Sequence, residues 1–215
     1  MKSCFQFIRE ILMLCSKSTF LAIFLTALVF GCSTRKEDVE RSDIKGFIAD
    51  SVYVQEGNKI VSLTFDTLRN SLLNSIKTQG LEGAIGFCNQ SAYPITSIYA
   101  DSVVIRRTSM RVRNSNNKPD SLELLILEEM NELLRSSNMP TTKVVRQKST
   151  GEIHFFKPII LQAMCLNCHG TPGVQIQKST LGKIRELYQD DRAVSYKEGD
   201  LRGVWHIIFK EQNKH

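Results

Sequence analysis

Apolar positions first take on a helical spacing near Thr64, from where Leu68, Leu72, Leu73 and Ile76 share one face. Gly80 ends that helix or marks a turn before a second one. In the next segment, Leu81 to Asp101, the residues Ala84, Ile85, Cys88, Ala92 and Ile95 recur at helical steps, which turns Cys88 inward with the apolar face. Pro94 permits a kink there but limits regular continuation. The pattern then changes. Val103 to Thr108 is β-branched and predicts a strand, and Arg111 to Asp120 is a loop rich in turn formers. Ser121 to Arg135 is amphipathic, with Leu122, Leu125, Ile126, Met130, Leu133 and Leu134 as the expected buried stripe. A hairpin follows: Thr142 to Gln147 out, a turn at 149–152, and Ile153 to Lys157 back, closed by Pro158. Leu181 to Tyr188 predicts a short helix, and Val204 to Phe209 a strand that closes the sheet. This order of elements implies an α+β fold, an antiparallel sheet flanked by helices.

The N-terminal pattern is of another kind. Lys2, Arg9 and Lys17 precede an apolar run from Ser18 to Gly31 that ends at Cys32. The run is shorter than the ~20 residues of an ordinary membrane span and reads as a signal-peptide core. Its end, Leu28-Val29-Phe30-Gly31-Cys32, resembles a lipoprotein signal, with Phe30 bulkier than the usual residue. On that reading Cys32 becomes the first mature residue and carries lipid; the alternative is an uncleaved anchor. Both place the domain on the extracytoplasmic, periplasmic side of a bacterial membrane and tethered to it. Ser33 to Asp43 is polar and charged without an apolar face, as expected of a flexible tether. The expected division is 1–31 signal peptide, 32–59 lipid-anchored tether and lead-in, and 60–212 a single domain.

Charge adds little. The net charge of +6 falls to about +4 when Lys2, Arg9, Lys17 and Glu10 leave with the leader. No basic stripe interleaved with aromatics suggests a nucleic-acid surface. Arg106, Arg107, Arg111 and Arg113 are grouped, either to bind carboxylates of a ligand or as a solvated strand and loop.

The chemistry is concentrated in Cys165-Leu166-Asn167-Cys168-His169-Gly170. C-x-x-C-H is the attachment pattern of a c-type haem: Cys165 and Cys168 form thioethers with the two vinyl groups, and His169 becomes the proximal iron ligand. Half a zinc site and a thioredoxin-like dithiol are the alternatives, and neither requires a histidine directly after the second cysteine. Covalent attachment of one haem c agrees with export. Of the six cysteines, Cys4 and Cys15 lie in the leader and Cys32 at the lipid site, which leaves Cys88 without an assigned role. It faces inward either as a small buried hydrophobe or as a ligand.

Four blocks in order resemble the haem c-binding, PAS-like domain family, once catalogued only as a domain of unknown function and found in sensor parts of histidine kinases and chemoreceptors. They are Ala84-Ile85-Gly86-Phe87-Cys88 with Ala92 and Pro94, Arg107 to Asp120, Cys165 to Gly170, and Gly199-Asp200-Leu201-Arg202-Gly203. The resemblance implies a PAS-like sheet and an axial iron role for Cys88, as a distal ligand opposite His169. Ser115 stands where the family's loop usually has proline, so the loop is expected to be kept but less rigid.

These residues imply a membrane-tethered monohaem protein that senses redox state or a diatomic gas, with His/Cys ligation. The rival reading is a periplasmic electron carrier working with a redox partner protein. His154, His206, Met110, Met130, Met139 and Met164 compete with Cys88 for the sixth position. An enzyme such as a peroxidase is not expected, since only His154 and His206 could supply distal acid–base groups. Phe155, Phe156, Ile159, Ile160, Met164 and Leu166 are candidates to cover the haem, or ordinary core.

Overall fold

The structure, a computed structural model, describes residues 34–96, 103–148 and 150–209, with the side chains of its first helix described over 50–89. The expected signal peptide at 1–31 and lipid site at Cys32 lie outside the described residues. From Asp50 onward the chain is one compact unit.

Helix α1 (Thr34–Thr96) opens the described chain and is interrupted at Gly80, whose φ of 72° and ψ of −174° are non-helical. It starts well before the apolar spacing at Thr64 and includes residues expected as tether. No proline interrupts that stretch, and its Arg, Lys and Glu residues are good helix formers. Strand β1 (Val103–Thr108), helix α2 (Ser121–Arg135), strand β2 (Lys143–Arg146) and strand β3 (Ile153–Ile160) follow. The short α3 (Leu166–His169), then α4 (Lys178–Leu187) and β4 (Leu201–Phe209) complete the order.

The sheet is four-stranded and antiparallel in the order β1-β4-β3-β2, so the α+β expectation is borne out. β4 was expected to close the sheet and instead runs between β1 and β3. Its middle, Gly203 to Ile207, is buried, as a strand covered on both faces requires. β3 passes through Pro158, where it was expected to stop. β2 has already ended opposite Phe156, so no partner strand lies beside Pro158 on that side to miss an N–H.

One face of the sheet packs against α1. Ile60, Val61 and Leu68 meet Val103, Ile105, Phe155, Trp205 and Ile207. Gly57 allows the close approach, since a Cβ there would stand 2.5 Å from the Phe155 ring. The other face packs against α2 through Ile126, Leu127, Met130, Phe156 and Val204. Phe155 and Phe156 are therefore core on opposite faces of the sheet. The α2 stripe is rotated from the expected one: Leu125 is 63% exposed, while Leu127 and the carboxylate of Glu123 are buried. An apolar pattern cannot anticipate a helix that turns an acid inward.

Candidate functional site

The Cys-x-x-Cys-His stretch begins in a short 3-10 turn, Ala163–Cys165, and continues directly into α3. Cys165, Cys168 and His169 are half-buried there. Three backbone contacts from one downstream segment hold the turn. The Ser195 N–H donates to the Gly170 carbonyl at 2.7 Å, the Tyr196 N–H to the His169 carbonyl at 3.0 Å, and the Gly199 N–H to the Leu161 carbonyl at 2.9 Å. Ser195 takes a left-handed conformation, φ 60°, to present its N–H in this way.

His169 is oriented by that same segment. Its Nδ1–H donates to the Ala193 carbonyl at 2.8 Å, and the Tyr196 ring meets it edge-on at 6.3 Å. A proton fixed on Nδ1 leaves the Nε2 lone pair available, the tautomer of a metal-ligating histidine. Burial, with the charges of Arg202 and Arg113, holds its pKa well below the ordinary value, so the ring is neutral.

Arg113 is the second clamp. Its Nη2 donates to the Cys168 carbonyl at 2.6 Å and the Ala193 carbonyl at 3.2 Å, and its Nε to Asp191 Oδ1 at 3.2 Å. Arg111 lies over the Tyr196 ring at 4.0 Å, with Arg202 5.7 Å from the same ring. Arg107 stands 5.5 Å from the Trp205 centroid. Of the four grouped arginines, Arg106 alone points to the α2 side, where it pairs with Glu123.

Cys88 comes from α1, three residues after Ile85, which packs with Ile176, Ile184 and Tyr188 against α4. Cys88 is half-buried, within electrostatic reach of Cys168, Arg107, Arg113 and Tyr188. Burial raises its pKa, and the two arginines oppose that rise. Burial likewise raises the pKa of Cys168. The structure thus brings Cys88 to the Cys165–His169 turn.

His154 and His206 are not brought there. Both are buried beneath α2, bonded to each other at 2.9 Å, so neither is offered as a distal ligand. Met130 belongs to the α2 core, and Met139 is 65% exposed. Sequence reasoning missed Asp191, Ala193 and Tyr196, and gave Arg202 no role although it lies in a block carrying the family resemblance. Ala193 acts through a main-chain carbonyl, which leaves no mark in residue type.

The ligand atoms do not close around a single ion. Among the described residues, the cluster whose donors all lie within 4.8 Å of one another is Asp120, Glu123 and His206; Cys88, Cys165, Cys168 and His169 form no such group. A tetrahedral zinc with ligands at about 2.0 to 2.3 Å would require closer convergence. The arrangement instead offers a neutral imidazole nitrogen, two thiols on the same turn, a third thiol on α1, and surrounding guanidinium groups.

The sequence model described as Tll0287-like matches residues 49–209. Among solved structures, that of the cyanobacterial heme-protein Tll0287 matches with a TM-score of 0.52 at 22% identity, over 75% of this chain and 98% of that chain. No curated protein matches the chain.

Proposed function

Since the chain belongs to the Tll0287-like family, we propose that it is a haem protein, holding one haem c through thioethers of Cys165 and Cys168 with His169 as the proximal iron ligand. The observation that carries this reading is the His169 Nδ1–H to Ala193 carbonyl bond, which leaves Nε2 free beside two thiols.

The bound group would supply a one-electron iron couple and a coordination site for a sixth ligand. The protein's part is to orient and to balance charge. Ala193 and Tyr196 hold His169, and Arg113 holds the Cys168 carbonyl. Arg107, Arg111, Arg113 and Arg202 supply positive charge for an anionic ligand, as two propionates require. Cys88 is assigned the distal position. As a thiolate it would stabilise the ferric state and lower the potential; burial raises the pKa of the free thiol and Arg107 and Arg113 oppose that rise only in part, so iron would supply the rest of the drive to lose the proton.

With a strong ligand on each side, the protein is read as a redox or gas sensor, tethered to the periplasmic side of a membrane by lipid on Cys32. A second reading, electron transfer, is favoured by exposed apolar side chains on either side of the cysteines in sequence: Met164 is 39% exposed and Val174 75%. Such a rim suits brief docking of a redox partner.

Replacing Cys88 with Ser tests the assignment. Haem should remain covalently attached, while the ferric Soret and near-infrared bands shift and the midpoint potential rises. Unchanged spectra would remove Cys88 from the iron. Redox titration with and without CO and NO separates the two functions: a sensor changes ligand or coordination, a carrier cycles without doing so.

A further inference from the structure

Beneath α2, on the sheet face away from α1, a line of polar side chains crosses the core. Arg106 on β1 donates from Nε to Glu123 Oε1 at 2.8 Å and from Nη2 to Glu123 Oε2 at 3.1 Å. Glu123 Oε1 also accepts from His206 Nδ1 at 2.7 Å. His206 Nε2 meets His154 Nδ1 at 2.9 Å, and His154 Nε2 meets Gln147 Oε1 at 3.1 Å. Glu123, His206 and His154 are 0%, 1% and 4% exposed. Phe156 stacks on the His206 ring at 4.2 Å and helps to fix its plane.

This line is not a metal site, although Asp120, Glu123 and His206 stand close together. The Arg106 guanidinium already neutralises Glu123, and Asp120 is engaged as the α2 cap, accepting from the Glu123 N–H at 2.8 Å. What the line can bind is a proton. Glu123 is ionised, so His206 carries hydrogen on Nδ1. If the pair is neutral, His206 Nε2 accepts from His154 Nδ1–H, and bare His154 Nε2 needs a donor, the NH2 of Gln147. If the pair holds one extra proton, both nitrogens of the outer ring carry hydrogen in the limiting form, and His154 Nε2–H needs an acceptor, the Gln147 oxygen.

We propose that His154 and His206 form a one-proton switch, loaded from solvent at the β2–β3 turn and read out by rotation of the Gln147 amide. The loading end is at Glu152, half exposed, with Oε2 3.9 Å from His154 Nε2. The groups facing the pair come from every packed element: Arg106 from β1, Asp120 and Glu123 from α2, Gln147 and Glu152 from the turn. Burial and His206 lower the His154 pKa, while Glu152, Asp120 and Glu123 act against that fall. The extra proton is shared by the two rings, so it is taken up as one step. Next to Gln147, Arg146 bonds Asp50 of α1 at 2.8 Å and lies 5.5 Å from the Tyr53 ring, so the readout sits where the hairpin grips α1.

The test is a pH titration of the full chain, uniformly labelled with 15N, following the histidine ring nitrogens and the glutamine side-chain amides. One step common to the two rings and the Gln147 amide is expected, and Glu152→Gln, at an exposed position, should move that step to lower pH. Independent ring midpoints, or a Gln147 amide that does not follow the rings, would overturn the switch.

Discussion

Arg113 is the residue on which the Cys165–His169 turn most depends, because one guanidinium satisfies two carbonyls and a carboxylate. Arg113 and Asp191 side chains are 12% and 6% exposed, so removal of one leaves the other buried and unpaired. Arg113→Met should therefore destabilise the fold by about 3 to 5 kcal/mol, as loss of one partner of a buried pair does. Urea unfolding measures this, and a change below about 1 kcal/mol would show that solvent reaches Asp191. Of the grouped arginines read from sequence, Arg107, Arg111 and Arg113 reach the site and Arg106 does not. Adjacent strand residues point to opposite faces, so a run at 106 and 107 has to be divided. The partners of Arg113 were hidden for another reason: two of its three are main-chain oxygens.

At the scale of elements, Gly80 keeps the two parts of α1 distinct. Its φ and ψ lie where L side chains rarely go, so Gly80→Ala should cost about 1 to 3 kcal/mol of strain. If Cys88 is a distal ligand, the same change should disturb the iron spectrum, because the residues after Gly80 carry Cys88. An unaltered melting curve and spectrum would show that the bend can form without glycine. Element positions were largely legible: β1 and α2 match the expected spans, and the hairpin is where β-branched runs flank a Thr-Gly turn. What failed was facing. The capping box that joins Asp120 and Glu123 leaves the Glu123 carboxylate under the helix, and the apolar stripe rotates to Leu127. The neighbours of His206 could not be read from alternation, because β4 is buried on both faces and the outward positions are inside too.

The unit from Asp50 onward has two packed layers on one sheet, and acid should act mainly on the α2 layer. The His154 pKa is lowered by burial, so its neutral form stabilises the fold fully above the unfolded value of 6.5, and that contribution is lost as pH falls through the lower folded value. Burial raises the Glu123 pKa, but hydrogen bonds from His206, Arg106 and the Asp120 backbone outweigh it and bring it to about 2. Its contribution is present above 4.5 and lost as pH falls through about 2. Urea midpoints should thus be flat above about pH 6.5 and decline in two stages below it. A curve flat to pH 4 would contradict this assignment.

β4 stands inside the sheet although it is the last of the described strands in sequence, pairing Phe209 with Val103 on one side and with Ile153 on the other. In a chain that emerges N-terminus first, β1 has no partner until β4 arrives, and the contacts of Ser195, Tyr196 and Arg202 around the Cys165–His169 turn are equally late. The hold of that segment on the Cys165–His169 turn is therefore among the last contacts the fold makes.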